Sequence, residues 1–190
     1  MTWQTRSNRT VYENAWIDVS HREVTAPTGH DGIYGLVHFK NLALGVIPID
    51  DEDHTWLVGQ DRYTLDGWSW EIPEGGGALE GDPIDAARRE LAEETGLRAD
   101  RLDLLVELHT SNSVTDERAL IYVATGLTRG APDPDETEQL TVRRVPVDDA
   151  IDEVLRGEIT DAMSVAALLK LAVQRRRDGG VGTVSRSSSS

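Results

Sequence analysis

The sequence predicts an α/β fold, because strand-like segments lie on both sides of one well-marked helix and two further helical segments follow. Segments rich in β-branched, aromatic or other apolar residues predict strands at 10–24, 34–39, 42–49, 55–60, 102–109, 119–126 and 139–145. Helices are predicted at 83–95, 147–156 and 159–177. We therefore expect N-terminal strands at 1–40, a main domain at 41–178 and a disordered Gly/Ser-rich tail at 179–190.

Turn residues separate the early strands. Residues 28–32 contain two glycines, and residues 50–53 are all acidic. Residues 70–77 run from a strand into three consecutive glycines, which permit close approach of the backbone to another group. Such a loop can direct carbonyls at a metal ion or amides at a phosphate.

The helix at 83–95 has clear boundaries. Asp82 is a good N-cap, Pro83 suits the first helical position, and Gly96 supplies the stop. An apolar stripe at i, i+3 and i+7 predicts the buried face, formed by Ile84, Ala87 and Leu91.

Three glutamates of this helix predict a metal site. Glu90, Glu93 and Glu94 fall within an arc of roughly 100°. A Glu-rich helix is most often a solvated face, but Glu90 and Glu94 lie beside the apolar stripe, where burial without a partner is costly. Mg²⁺ takes oxygen ligands and is usually held by one or two carboxylates together with substrate phosphates. The cluster therefore favours metal-dependent phosphate chemistry.

Composition excludes several classes of function. The formal charge of −15 argues against nonspecific binding to nucleic acid or anionic membranes. The chain has no cysteine, so a disulfide framework and a thiol nucleophile are excluded. Residues 1–20 lack a signal-peptide core and no apolar stretch approaches about 18 residues, so we expect a cytoplasmic protein.

The glycine loop and the helix together resemble a family signature. Residues 89–97 read R-E-L-A-E-E-T-G-L and match completely the second half of G-x5-E-x7-R-E-U-x-E-E-x-G-U, in which U is aliphatic. This signature is that of the Nudix hydrolases, enzymes that cleave nucleoside diphosphates linked to another moiety. The first half departs from it, because Gly81 stands where the family carries a Glu that often pairs with the arginine, here Arg89. Either Asp82 substitutes for that Glu, or Arg89 is held in another way.

Other segments are similar to the ADP-ribose pyrophosphatase branch of the family. Residues 60–63 resemble its Q-x-R-Y segment, 70–75 its W-E-hydrophobic-P-x-G segment, and 135–138 its acidic loop. The resemblance implies that Glu136 is the general base and Glu138 an auxiliary metal ligand, with Glu93 the next candidate for the base. The alternative is that the segment is a solvated acidic turn, since residues 131–135 have the composition typical of one.

The resemblance also implies a set of site residues. Glu90, Glu94, Glu138 and Gly75 are assigned to the metal, and Arg89 joins Glu136 and Glu93 in the catalytic group. Arg62, Trp70, Glu71 and Gly76 are assigned to substrate binding. Arg62 would contact a phosphate, since so acidic a protein needs a local cation there, although a surface ion pair is an equal alternative. Trp68 and Trp70 could stack on a base, but a Trp in a strand more often packs in the core.

The implied architecture is a mixed sheet sandwiched between helices, with N-terminal strands that build a homodimer. The implied reaction is attack of water on a pyrophosphate, assisted by Mg²⁺ or, as the alternative metal, Mn²⁺, which would convert ADP-ribose into AMP and ribose 5-phosphate. Two alternatives remain: a Nudix enzyme for another nucleotide sugar, a dinucleotide or a nucleoside triphosphate, and a catalytically weak nucleotide-sensing module. The sequence does not fix the base, the sugar or the metal.

Overall fold

The computed structural model describes residues 2–131 and 139–179, with side chains as far as residue 177. The strands are β1 (Gln4–Glu13), β2 (Ile17–Thr25), β3 (Asp31–Phe39), β4 (Asn41–Pro48), β5 (His54–Arg62), β6 (Gly67–Glu71), β7 (Glu74–Ala78), β8 (Leu97–His109), β9 (Arg118–Arg129) and β10 (Thr141–Pro146). The helices are α1 (Pro83–Thr95), α2 (Val147–Arg156) and α3 (Ala162–Gly179).

The centre of the molecule is a four-stranded mixed sheet in the order β7-β4-β9-β8. Strands β4 and β9 run parallel, whereas β7 and β8 pair antiparallel with their neighbours. A second, antiparallel sheet has the order β10-β5-β6. Strand β7 follows β6 after only two residues, so the chain passes directly from the second sheet into the edge of the first.

Helices cover the central sheet on both faces because β4 is apolar on both faces. Leu44 and Val46 pack with Leu91 of α1 in one hydrophobic cluster. Ile47, which points to the opposite face, packs with Leu168 of α3 in the other. The predicted sandwich of helices around a mixed sheet is therefore confirmed.

Strands β1, β2 and β3 form a separate antiparallel sheet. It contacts the rest of the chain through the loop between β8 and β9. Val37 donates its N–H to the Val114 carbonyl at 2.9 Å, and His38 Nδ1 lies 2.7 Å from an oxygen of Asp116. Every residue of β1 is exposed, which leaves an outer strand without a covering element among the described residues.

Three expectations from the sequence need correction. The strand predicted at 10–24 is two strands, because the side chain of Asn14 accepts the N–H groups of Trp16 and Ile17, both at 2.8 Å, and turns the chain. Ile84 was predicted on the buried face of α1 but is 37% exposed, since it lies in the first turn and the buried residues of the helix begin at Ala87. Helix α3 begins at Ala162 rather than at residue 159.

The boundaries of α1 are as predicted. Asp82 accepts the N–H of Ile84 at 2.8 Å, and Gly96 closes the helix with a φ of 71°. No helix in the described part of the chain is long and apolar enough to cross a membrane.

Candidate active site

The C-terminal half of α1 presents two sequestered carboxylates. Glu94 is 4% exposed, and its Oε2 accepts the backbone N–H of Glu74 at 2.9 Å. The Glu90 side chain is 14% exposed, whereas that of Glu93 is 37% exposed. The order of burial predicted from helical periodicity is thus correct, and the two acids assigned to the metal are the more deeply buried ones.

Gly75 lies directly against Glu90. A Cβ atom built on Gly75 would stand 2.2 Å from Glu90 Oε2, a distance that only a displaced carboxylate could avoid. Gly75 pairs with Leu44 in the ladder between β7 and β4, so the backbone position is fixed by the sheet. Residues 75–77, expected from the sequence to form a loop, thus belong to strand β7, and glycine at position 75 lets this strand approach the carboxylate, as the metal assignment of Gly75 requires.

Arg89 is held without the family's missing glutamate. Its Nη2 donates to the Gly76 carbonyl at 2.8 Å and to Glu90 Oε1 at 2.6 Å, and its Nη1 lies 3.3 Å from Glu93 Oε2. Asp82 is occupied as the N-cap of α1. Of the two alternatives left by the sequence, the described contacts support the one in which Arg89 is held in another way, by the glycine loop and by its own helix.

Arg62 is a second arginine of the site, and its fork is occupied by carboxylates. Its Nε donates to Glu71 Oε1 at 2.9 Å, and its Nη2 bonds to Glu71 Oε2 and, at 2.8 Å, to Glu74 Oε1. Nη1 takes no part in these bonds. The Arg62 side chain is about one-third exposed, so Arg62 is neither a free cation nor a purely superficial ion pair.

The pKa values of the two acids bound to Arg62 are shifted in opposite directions by their surroundings. Burial raises the pKa of Glu74 well above its ordinary value, and the charges of Asp161 and Glu71 add to this effect. Burial also opposes ionisation of Glu71, but the hydrogen bonds from Arg62 and Ser69 outweigh it and hold its pKa below the ordinary value. The surroundings therefore favour the ionised form of Glu71 and disfavour the ionised form of Glu74.

Trp70 lies apart from this cluster, because successive residues of a strand point to opposite faces. Its ring packs edge-on against Trp68 at a centroid distance of 5.7 Å, and the Arg143 guanidinium lies 4.1 Å from its centroid. The substrate assignment of Trp70 remains a prediction. The structure places Trp70 beside the α2–α3 core, whereas Arg62, Glu71, Glu90, Glu94, Gly75 and Gly76 lie on the α1 side or at the β7 edge.

Two residues of the site were not singled out from the sequence. Glu74 brings a further carboxylate to the loop, and Ser164, at the start of α3, accepts the N–H of Ile72 at 2.9 Å. The signal for Glu74 was present, since it stands beside the glycine triplet in a quoted motif. The role of Ser164 depends on a contact across 92 residues and has no local signal.

The donor set fits a hard divalent cation. Glu90 and Glu94 supply carboxylate oxygens, Gly75 can supply a carbonyl, and Glu74 Oε2 is buried without a hydrogen bond from a described residue. Within 2–131 and 139–179, no three His, Cys, Asp or Glu side chains are grouped closely enough to hold an ion alone. A site of two carboxylates completed by substrate phosphates is the arrangement typical of Mg²⁺. Glu136 and Glu138 lie outside the described residues.

Comparison with known proteins decides the family. A family profile described as NUDIX domain matches residues 40–168, which is more than half of the chain. The chain belongs to the Nudix family. A second profile, described as Nucleoside diphosphate sugar hydrolase N-terminal domain, matches residues 3–37. The resemblance inferred from the box at 89–97 is thereby confirmed, and the protein is a Nudix hydrolase.

Individual relatives extend over most of the chain. The ADP-ribose pyrophosphatase of Mycobacterium tuberculosis is 33% identical over 171 residues, which cover 88% of this chain and 82% of that protein. The CMP-5'-(N-acetyl-N-hydroxy-3-aminopropyl)phosphonate hydrolase of Streptomyces rubellomurinus is 29% identical over 94% of this chain and 88% of its own length. The crystal structure of an ADP compounds hydrolase superimposes with a TM-score of 0.83, covering 97% of this chain and 98% of that one. At 24% identity, this last similarity establishes the shared fold.

The contact between Gly75 and Glu90 generates a prediction. We expect Gly75→Ala to fold, because the atoms it meets belong to the end of a flexible side chain, but to displace the Glu90 carboxylate. Mn²⁺ affinity should fall by about 10-fold or more, as for other changes that misorient a ligand. Titration with Mn²⁺ and a thermal unfolding curve would measure the two effects separately.

A matched control is Gly35→Ala, since a Cβ at Gly35 would meet nothing within 4 Å. It should leave Mn²⁺ affinity unchanged. Unchanged affinity in Gly75→Ala would show that Glu90 is not held against the loop in the metal-bound state.

Proposed function

We propose that this Nudix hydrolase cleaves the pyrophosphate bond of a nucleoside diphosphate linked to another moiety, and that ADP-ribose, converted into AMP and ribose 5-phosphate, is its main substrate. The observation that carries the proposal is the pair of sequestered carboxylates, Glu90 and Glu94, facing a glycine loop. The name of the Mycobacterium relative, and its coverage of most of the chain, support the choice of ADP-ribose.

We assign metal binding, ligand orientation and phosphate binding to different residues of the site. Glu90, Glu94 and the Gly75 carbonyl would hold Mg²⁺ or Mn²⁺, with Glu138 as an additional ligand. When bound, such an ion neutralises charge on the phosphates and lowers the pKa of a bound water. Arg89 orients Glu90 and ties it to the Gly76 carbonyl. Arg62 is the proposed phosphate contact through Nη1, the nitrogen outside its bonds to Glu71 and Glu74.

A carboxylate must accept the proton of the attacking water. We assign this role to Glu136, with Glu93 as the alternative. Glu93 is the most exposed of the three box glutamates and is tied to Arg89 at 3.3 Å, which suits a supporting group better than a base. This contact supports the choice of Glu136.

The N-terminal sheet is proposed as a dimer contact. Strand β1 is exposed along its whole length. Large apolar side chains are exposed on the same sheet, at Val11, Tyr12 and Ile33, and directly before its strands, at Trp3 and Trp16. An uncovered strand of this kind favours pairing with another chain. We further propose a cytoplasmic protein that acts on small nucleotides rather than on nucleic acid, in line with its formal charge of −15.

The second candidate substrate is a CMP-linked phosphonate, favoured by the Streptomyces relative. Both candidates are tested by one panel of ADP-ribose, other nucleoside diphosphate sugars, dinucleotides, nucleoside triphosphates and a CMP-linked phosphonate. The assay is run with Mg²⁺ and with Mn²⁺, and it detects AMP, CMP, GMP and phosphate.

We expect ADP-ribose to give AMP with the highest kcat/KM of the panel, and only when a divalent cation is present. Glu94→Gln should fold and lose activity by orders of magnitude. This loss would show that the measured hydrolysis comes from this protein and not from a contaminating hydrolase. Preferential release of CMP would select the second candidate. Binding of ADP-ribose without hydrolysis under either metal would support the sensing module instead.

Variants of the acidic loop test the assignment of the base. We expect Glu136→Gln to lower kcat by a factor of about 10² to 10⁴ while metal and substrate affinity are retained, because only proton transfer is lost. Glu138→Gln should instead raise the Mg²⁺ concentration needed for half-maximal rate. If both variants hydrolyse ADP-ribose like the parent enzyme, Glu93→Gln becomes the decisive variant.

A further inference from the structure

A two-residue segment, Ile72 and Pro73, connects β6 to β7 and leads to the proposed metal ligand Gly75. One backbone group of each of the two residues is anchored by the core. Ile72 donates its N–H to Ser164 Oγ at 2.9 Å, and the Pro73 carbonyl accepts the N–H of Val46 at 2.8 Å. The residues on either side lie in strands of different sheets, since Glu71 pairs with Val58 of β5 and Gly75 pairs with Leu44 of β4.

Arg62 joins the residues on either side of the segment. Its Nε and Nη2 bond to Glu71 just before the segment, and the same Nη2 bonds to Glu74 just after it at 2.8 Å. Glu71 is 4% exposed at its side chain and lies on the same face of the β5–β6 hairpin as Arg62. One guanidinium thus spans the two-residue connection between β6 and β7, an arrangement that we call the Arg62 clamp (Arg62, Glu71 and Glu74).

The Arg62 clamp bears directly on the metal ligands. The backbone N–H of Glu74 is the donor that holds Glu94 Oε2 at 2.9 Å. The next residue, Gly75, is packed against the Glu90 carboxylate. A rotation of the Glu74 peptide would therefore misdirect the Glu94 carboxylate and the Gly75 backbone together.

We propose that Arg62 is a positioning residue for the metal site: by bonding to Glu71 and Glu74 at once, it sets the loop geometry in which Glu90, Glu94 and the Gly75 carbonyl converge on a divalent cation. This inference rests on the metal-binding part of the proposed function and adds a role for Arg62 that is separate from phosphate contact. The nitrogens involved are also different, because the clamp uses Nε and Nη2.

Charge gives the Arg62 clamp a second physical basis. Glu71, Glu74, Glu94 and Asp161 bring four carboxyl groups to one region, and like charges repel. A guanidinium can bond to two carboxyl groups in fixed directions, whereas a lysine ammonium acts as a point charge. Arg62→Lys therefore keeps the charge but loses the geometry.

The experiment measures Mn²⁺ binding without nucleotide, by electron paramagnetic resonance of free Mn²⁺, in the parent and in Arg62→Lys and Glu71→Gln. Glu71→Gln removes the other half of the ion pair while keeping the side-chain volume. Both variants should bind Mn²⁺ about 10-fold more weakly, as when other groups that orient metal ligands are changed. The matched control is Arg156→Lys, which alters an equally bidentate pair with Glu158, at 2.8 and 2.9 Å, at the end of α2.

Hydrolysis of ADP-ribose is then measured at several Mg²⁺ concentrations. The inference predicts that saturating Mg²⁺ restores much of the lost rate in Arg62→Lys. It is overturned if Arg62→Lys raises the KM for ADP-ribose while Mn²⁺ affinity stays at the parental value, since Arg62 is then a phosphate contact alone. It is also overturned if the control weakens Mn²⁺ binding equally, or if the parent binds no Mn²⁺.

Folding of each variant is checked by its thermal unfolding midpoint, and Glu71→Gln tests the inference alone should Arg62→Lys fail to fold. The inference and the proposed function can fail separately. A parent that binds Mn²⁺ but hydrolyses no nucleotide would refute the function, while the difference in Mn²⁺ affinity between parent and variants would still support the Arg62 clamp.

Discussion

The crowding of carboxylates against the glycine loop is the constraint on which the rest of the site depends. Glu90 and Glu94 of α1 are largely buried, and the backbone N–H of Glu74 bonds to Glu94. Glu71 and Glu74 share the guanidinium of Arg62. Burial of such charges is unfavourable unless cations or hydrogen bonds compensate them. Arg89 bonds to Glu90, and Arg62 bonds to Glu71. The proposed divalent cation between the glutamates would complete this compensation, which would give the crowding a functional reason.

The fold supplies the rigid parts that keep these charges together. Strand β4 lies between β7 and β9 and is apolar on both faces, so that α1 and α3 pack on opposite sides. Glycine at 77 lets α1 come close to β7, because a Cβ there would stand 2.7 Å from Leu44 and 3.0 Å from Ala86. Two of the three glycines thus have separate roles. Gly75 leaves room for the Glu90 carboxylate, and Gly77 leaves room for the close packing of α1.

Local signals account for what could be predicted from the sequence. The caps of α1, the apolar residues 87 and 91, and the spacing of Glu90 and Glu94 depend on neighbouring residues, and the structure agrees with them. The prediction that Ile84 is buried was wrong, because periodicity identifies the apolar face of a helix but not the turn at which its burial begins. The pairing of Arg62 with Glu71 and Glu74 was not foreseen, since it depends on the register of β5 and β6. Arg89 could not be assigned a partner, because the Gly76 carbonyl belongs to the loop conformation rather than to a residue type.

We propose that Glu90, Glu94 and Gly75 hold one divalent cation. A crystal structure of the protein with Mn²⁺ tests this directly, because anomalous scattering locates the ion without reference to any assumed ligand. We expect an anomalous peak in contact with carboxylate oxygens of both glutamates and with the Gly75 carbonyl. An ordered Mn²⁺ bound elsewhere, with Glu90 and Glu94 contacting only protein groups, would contradict it.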